Sequence, residues 1–577
     1  MSDEEALAVE AEIPKLLLPS VLGKLAQAAQ AGVLERLQEP QASGGDRGAR
    51  EPAADATLWG APGTPEISDR LGWLTIAPRM RPEARHLQEF AAQVHADGLQ
   101  DVVLLGMGGS SLAPEVLRRC FDPVRSAARL IVLDSTDAAT IAAVQGAIDP
   151  ARTLFVVSSK SGGTIEPLSL FAHFFSIAPG GANFVAITDP GSGLEELAHE
   201  HRFRTVLHGD PDIGGRYSAL SAFGMAPAAL MGIDVGALLD GADAAWKTSI
   251  DGDELHAAGP TSAGDAPPAW LWLGAALSGL AHQGRDKLTF LIDPSLPGLG
   301  LWLEQLVAES TGKRHTGILP VAEEPFGEPD SYGEDRVFVS IADTAHGGEE
   351  RPGEADAGAG TRALALAGHP VIRIPTSGPS DLGRLFLLAE LAVAVAGWGL
   401  EINPFDQPNV QQAKDATNRV LASFDATHEL PAIADAGRSA LGALFAGLSP
   451  PDYVAIMGYL QPSDDFDDAV AELRAAIRDS RKVTTTFGYG PRFLHSTGQF
   501  HKGGPATGRF LQLLHDGPLD VEIPGRSYTF TTLKNAQAIG DLQTLRELGL
   551  PAERVRLVGD DPASALRALT AQIKEML

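Results

Sequence analysis

Five short runs between residues 101 and 209 set the strongest constraint on how this chain folds: DVVLLG, ARLIVLD, TLFVVS, NFVAITD and RTVLHG. Each is rich in Val, Ile and Leu, and each is followed by a stretch of helical character. Continuous apolar strands that alternate with helices pair in parallel and need cover on both faces. A second set begins with DKLTFLID near residue 290 and continues in DRVFVSIAD and HPVIRIPT. A third follows residue 450, in DYVAIMGYL, KVTTTFGYG, GRFLQLLHD and RVRLVGD. At 577 residues the chain is too long for a single core. It is expected to divide into a helical N-terminal segment and linker (1–80), two parallel-sheet domains (81–250 and 251–425) and a C-terminal α/β block (426–577). Residues 1–40 read as helix, EPQASGGDRGAREPAADAT as a loose polar linker, and HGGEERPGEADAGAGTRA as a surface loop.

Charge and cysteine content narrow the function. A net charge of −29 argues against nucleic acid, which selects basic faces. An anionic substrate would need a locally positive pocket. The single cysteine, Cys120, rules out an internal disulfide and a Cys-based zinc site, and suits the cytoplasm. The acidic start MSDEEALAVEAEIPK is no secretory signal, and no stretch of about 18 apolar residues lacks charges, so no membrane span is expected.

One element is built twice. LLGMGGSSLAPEVLRRC (Leu104–Cys120) and FVVSSKSGGTIEPLSLF (Phe155–Phe171) each run from a strand into a Gly/Ser loop and then a helix. In an open parallel sheet, ligands bind beyond the carboxyl ends of the strands. A helix starting there points unpaired N–H groups and a partial positive charge into the crevice, glycines let the backbone come close, and hydroxyls add donors. Two such loops side by side would surround a phosphate. Other readings fit less well. Gly106-x-Gly108-x-x-Ser111 with Asp134 approaches a dinucleotide fingerprint but lacks the third glycine. ESTGKRH puts Arg314 where a Walker A loop needs Ser or Thr, and Ser110 is not in a nucleophile elbow. The plain alternative is a pair of tight strand-to-helix turns.

Four further stretches stand out. GGRYSALSAFGM carries Arg216; LEQLVAESTGK puts Gln305 and Glu309 on one helix face; INPFDQPNVQQAKD brings Gln407 and Lys414; FLHSTGQFHKGGP brings His495 and His501. Singly, each has a dull explanation as a surface acid, a solvated lysine or a satisfied loop histidine. Together, GMGGSSLAP, SSKSGGTIE, GGRYSALSAFGM, QLVAESTGK and NPFDQPNVQQAK resemble, in order, the glucose-6-phosphate isomerases of the sugar isomerase domain superfamily. The block after 450 resembles the isomerase half of bacterial transaldolase–isomerase fusions, here without the transaldolase.

The resemblance implies an α/β fold. Two sugar isomerase-type parallel-sheet sandwiches, with helices on both faces, would occupy 81–250 and 251–425. The extra C-terminal α/β block would pack on the second and supply the site histidine. Ser159, Lys160, Ser161 and Thr164 match the phosphate loop, with Gly109 and Ser110 from the first loop; Lys160 could instead pair with a nearby acid. Arg216 matches the arginine that steadies the anionic intermediate, Gln305 and Glu309 the glutamine and catalytic base, and Gln407 and Lys414 the pair of the FDQ motif. Ser-Gly-Gly in place of the commoner SKTFTT implies a smaller, more flexible phosphate loop. The family's DLHSLGQ segment is missing from the interval after Glu309, which offers only His315, while LHSTGQ appears at Leu494–Gln499. His495 is therefore the favoured ring-opening histidine, with His315 and His501 as alternatives.

The chemistry implied is reversible aldose–ketose isomerisation of glucose 6-phosphate and fructose 6-phosphate through a cis-enediol. Glu309 would move the proton between C2 and C1, Arg216 would meet the charge on oxygen, and His495 with Lys414 would open the ring. No metal or organic cofactor is needed. The expected partner is a small sugar phosphate, with no nucleic acid or membrane, in a cytoplasmic homodimer. Isomerisation of mannose 6-phosphate or an amino sugar phosphate is an alternative. So is a non-catalytic sugar-phosphate sensor, which need not keep Glu309 and Lys414.

Overall fold

A computed structural model describes residues 10–38, 55–122, 124, 127–178, 180–251, 267–343 and 357–577. They form three sheets. The first is entirely parallel, in the order Arg129–Leu133, Asp101–Leu105, Thr153–Ser158, Phe184–Thr188, Thr205–His208. The second runs Glu10–Glu12, Val371–Thr376, Arg336–Asp343, Lys287–Ile292, Leu319–Val321, parallel except for its first strand. The third is parallel, in the order Thr484–Tyr489, Tyr453–Tyr459, Gly508–Leu514, Ala552–Arg556.

The continuous apolar strands are continuous because both faces are buried. Val102, Leu104, Val156 and Ile187 of the first sheet point into a core shared with the second sheet. Val103, Leu105, Phe155, Val157 and Phe184 point the other way. That second face is covered by helix Ile165–Ile177 and by Phe530, Leu533 and Ile539 of helix Phe530–Glu547, from the far end of the chain. The third sheet turns Tyr453, Met457 and Phe510 toward Ala308, Leu319 and Val321. The C-terminal block thus packs on the second sheet and on the first. Among the described residues one helix, Gly378–Gly399, is long and apolar enough to span a membrane; 89% of its apolar window lies inside the protein, as expected of a core helix.

Two expectations are corrected. Residues 1–40 are not all helix: Glu10–Glu12 is an antiparallel edge strand, held in register on Val371–Arg373 and paired through Glu12 to Arg373 at 2.7 Å. Three residues carry too little pattern to show this, and tertiary pairing decides it. Helices occupy Leu18–Gln30 and Val33–Gln38. The stretch 346–363 is not all loop either, because Ala357–Leu366 is helical. Its Gly360 is there for close approach: a Cβ would lie 2.9 Å from the Phe326 ring. The rest of that stretch, and most of the polar linker, lies outside the described residues. At the linker's end, Asp55 caps a short turn and pairs with Arg36 at 2.8 Å.

Candidate active site

The two Gly/Ser loops lie side by side at the carboxyl ends of neighbouring strands, Asp101–Leu105 and Thr153–Ser158. The Ser158 hydroxyl donates to the Ser110 carbonyl at 3.1 Å, tying one loop to the other. Neither following helix, Leu112–Cys120 or Ile165–Ile177, has a side-chain N-cap, so their first amides remain available to an anion. Ser159 is buried and its hydroxyl donates to Thr164 at 3.1 Å; Ser161 is exposed. The Lys160 ammonium is taken by Asp189, the pairing weighed above as the alternative. Its backbone carbonyl accepts from Asp189 N–H and the Thr188 hydroxyl. Gly162, at φ +70°, packs so closely that a Cβ would sit 2.7 Å from Leu194 N. The small loop is therefore fastened at three points rather than loosened by its glycines.

The first loop is a junction. Gly108 has φ +57°, and a Cβ there would lie 2.9 Å from His495 Cβ and 3.1 Å from Gln305 Nε2. A Cβ on Gly109 would lie 2.2 Å from the Gly215 carbonyl oxygen. The first loop thus meets the backbone of the Arg216 turn and of the late histidine turn, and the Gln305 side chain. Asp134 cannot serve a ribose, because its two oxygens hold Arg492 at 2.7 and 2.8 Å and one also accepts from Ser111. That clamp sets the Arg492–His495 turn in place.

Helix Leu299–Thr311 presents Gln305 and Glu309 on one face. Gln305 Nε2 donates to Glu309 Oε2 at 3.1 Å and to the His495 carbonyl at 2.7 Å, linking residues 186 positions apart. Arg216 is 1% exposed. Its Nε donates to Ser310, one terminal nitrogen to the Pro404 and Asp406 carbonyls, and the other to Gln407 Oε1 at 2.8 Å. The fifth N–H faces Glu309 Oε1 with 3.5 Å between nitrogen and oxygen, too long for a good hydrogen bond. Gln407 in turn donates to Glu66. Lys313 Nζ holds the same loop through the Asn403 carbonyl and Asp406, and burial beside Arg216 pushes its ammonium down to about 7.

His495 lines a cleft with Thr164, Glu166, Lys414 and Gln537. Its Nε2 donates to Glu166 Oε1 at 3.0 Å. Burial alone would raise the Glu166 carboxyl; the imidazole beside it, with Lys414 farther off, reverses this and holds it below the usual range. Gln499 of the same LHSTGQ segment bonds Gly312 at the end of the base helix and Asn409 at the start of the Lys414 helix. The alternatives lie elsewhere. His315 is exposed on a turn at φ +61°. His501 is buried on the Tyr453 hydroxyl, and burial pushes it down to about 3, too low to exchange protons near neutrality. Thr164, Lys414 and His495 thus line one cleft. Contacts join it to Gln305, Glu309, Arg216 and Gln407 through the His495 carbonyl and to Ser159 through Thr164, while Gly109 packs on the Arg216 turn and Ser110 on Ser158. Glu166 and Gln537 are additions the sequence reading missed. The signal for Glu166 was a lone acid in the apolar run IEPLSLFAHFF. Among the described residues no group of three or more His, Cys, Asp or Glu is arranged to hold a metal ion.

Comparison with known proteins bears on the family. The family model described as phosphoglucose isomerase matches residues 79–317, which include both Gly/Ser loops, Arg216, Gln305 and Glu309. A glucose-6-phosphate isomerase of Rubrobacter xylanophilus is 31% identical over 401 residues, 61% of this chain and 89% of the relative. One from Thermosynechococcus vestitus is 30% identical over 397 residues, 60% of this chain and 73% of the relative. Among solved structures, a hypothetical protein of Thermus thermophilus superposes with a TM-score of 0.55 at 24% identity, over 71% of this chain and all of that one. A glucose-6-phosphate isomerase of Chlamydia trachomatis superposes with a TM-score of 0.52 at 19% identity, over 71% of this chain and 86% of that one. By its fold and by these relatives, the chain belongs to the phosphoglucose isomerase family.

Proposed function

We infer that the chain interconverts glucose 6-phosphate and fructose 6-phosphate through a cis-enediol intermediate. The observation that carries this is Glu309, a buried carboxylate flanked by Gln305 and Arg216, with His495 on the same glutamine. In this reading the phosphate sits between the two Gly/Ser loops, on Ser110, Ser159, Ser161, Thr164 and the free helix amides. Remote binding of this kind orients the reacting carbons. Lys160 acts by fastening the loop through Asp189, and Gly109 by admitting the Arg216 turn.

His495 and Lys414 exchange a proton between the ring oxygen and the C1 hydroxyl to open the sugar. Glu309 then takes the C2 proton and returns it to C1. As negative charge gathers on the carbonyl oxygen, Arg216 offers the N–H that now faces Glu309 across 3.5 Å. The other four guanidinium hydrogens stay engaged, so the cation is held in place before the reaction begins. The same reading keeps the division at residues 80, 250 and 425, with the last block supplying the histidine. It places the protein in the cytoplasm as a homodimer with sites near the interface. Glu309→Gln tests the assignment. It is expected to bind sugar phosphate nearly normally and to lose about a hundredfold to ten-thousandfold in kcat. A loss of only about tenfold, too small for a positioned base, would assign the proton transfer to another group.

A further inference from the structure

The C-terminal block brings more than a histidine to the cleft. Gln537, on helix Phe530–Glu547, is 2% exposed and is bonded at both ends of its amide. Its Oε1 accepts from the Thr136 hydroxyl at 2.7 Å, and its Nε2 donates to Glu166 Oε1 at 2.7 Å. The same Glu166 oxygen receives His495 Nε2 at 3.0 Å, while Glu166 Oε2 is buried without a hydrogen-bond partner among the described residues. The polarity of this chain is fixed from one end. A hydroxyl hydrogen on the amide oxygen forces the amide N–H toward Glu166. An ionised carboxylate only accepts, so the His495 nitrogen facing it must carry hydrogen and the other ring nitrogen keeps its lone pair.

We propose that Gln537 is a positioning residue for His495: acting through Glu166, it sets which ring nitrogen carries the proton during ring opening. This rests on the reading of His495 given above and extends it to the groups behind the imidazole. The other charged or titratable neighbours of Glu166 are Lys414, from helix Pro408–Thr427, and the buried Tyr459, from strand Tyr453–Tyr459. Neither donates a hydrogen bond to it among the described contacts. Gln537 is thus the second donor on the oxygen that binds His495. Without it the carboxylate is less well held in its ionised form, and a proton on Glu166 would reverse the bond to the ring and move the ring hydrogen to the other nitrogen.

The test compares Gln537→Leu, Gln537→Glu and His495→Ala by the pH profile of kcat/KM on glucose 6-phosphate and by C1–C2 proton exchange on an open-chain sugar phosphate. Gln537→Leu is expected to lose about tenfold in kcat on the ring-closed sugar, with KM within about twofold and proton exchange nearly intact. The limb of its profile that His495→Ala lacks should move to higher pH, because the carboxylate facing the ring then keeps more of its negative charge. Gln537→Glu, which keeps the size and can supply a carboxyl proton only in acid, should regain activity relative to Gln537→Leu as pH falls. It also carries the test if the leucine variant does not fold. An unmoved limb with unchanged kcat in Gln537→Leu, or an equal loss on ring-closed and open-chain substrates, would overturn the proposal. If His495→Ala is inactive and Gln537→Leu is normal, only the role of Gln537 falls. If His495→Ala is itself fully active, the underlying reading of the histidine falls.

Discussion

Gly109→Ala probes the junction on which the site is built. The added methyl would lie 2.2 Å from the Gly215 carbonyl oxygen and 2.3 Å from its carbonyl carbon, where ordinary contact begins at 3.4 Å. Both partners are backbone, so no side chain can swing aside. One loop has to retreat by about 1.2 Å, and the residue next along is Arg216. Overpacking of this kind costs about 1–3 kcal/mol of stability, which a domain of this size survives. The catalytic cost is larger in proportion, because a displacement of about 1 Å in a positioned group can lower the rate about a hundredfold. The assay is conversion of fructose 6-phosphate coupled to oxidation of the product, with thermal unfolding followed in parallel. Gly214→Ala is the control, since its added carbon meets only Arg70 and Tyr217, both at 3.9 Å. A Gly109→Ala variant within about threefold of the parent kcat/KM, with unchanged unfolding, would refute the claim that the tight contact positions Arg216.

Three other outcomes are expected. His495→Ala should lose most activity on ring-closed glucose 6-phosphate and retain more of the C1–C2 proton exchange on an open-chain substrate, while His315→Ala behaves as the parent; the reverse pattern would return the role to His315. Thr164→Val should raise KM about tenfold or more with kcat little changed, as loss of a hydrogen bond to a charged group predicts, and a bound-sugar structure with the phosphate more than about 6 Å from the Ser159–Thr164 loop would remove that loop from the site. His501→Gln should make the protein more resistant to acid. The folded histidine is pushed from 6.5 down to about 3, so between those values the unfolded chain takes a proton that the folded one does not, and stability falls as pH drops through that window. Urea unfolding at pH 7 and pH 5 should show a drop smaller by about 2 kcal/mol in the variant, and an equal drop in both proteins would contradict this.

Strands were the most readable part of this sequence, because burial on both faces leaves a run such as TLFVVS with no other place to go. Glu10–Glu12 was unreadable, since its partner lies some 360 positions away and three residues carry no period. Glycine misled in two directions. In Ala357–Leu366 it suggested a loop where it admits Phe326, and in Ser-Gly-Gly it suggested flexibility where Gly162 packs on Leu194. The motif residues stood out only as a set in a fixed order, because each alone has an ordinary structural explanation. Glu166, Gln537 and Arg492 did not, because their meaning lies in what they touch, and each touches a segment more than 300 positions distant.

The cover that helix Phe530–Glu547 places on the first sheet also shapes how the protein is made. About 320 residues separate the last strand of that sheet, Thr205–His208, from Phe530, so at ordinary translation speeds the ribosome needs roughly 15–60 s to deliver the helix. During that interval the core around Phe155, Phe171, Phe174 and Phe184 still lacks Ile523, Tyr528, Phe530, Leu533 and Ile539. The nascent chain must be shielded over this aromatic face, and a message truncated after the base helix yields a polypeptide that aggregates rather than a smaller isomerase.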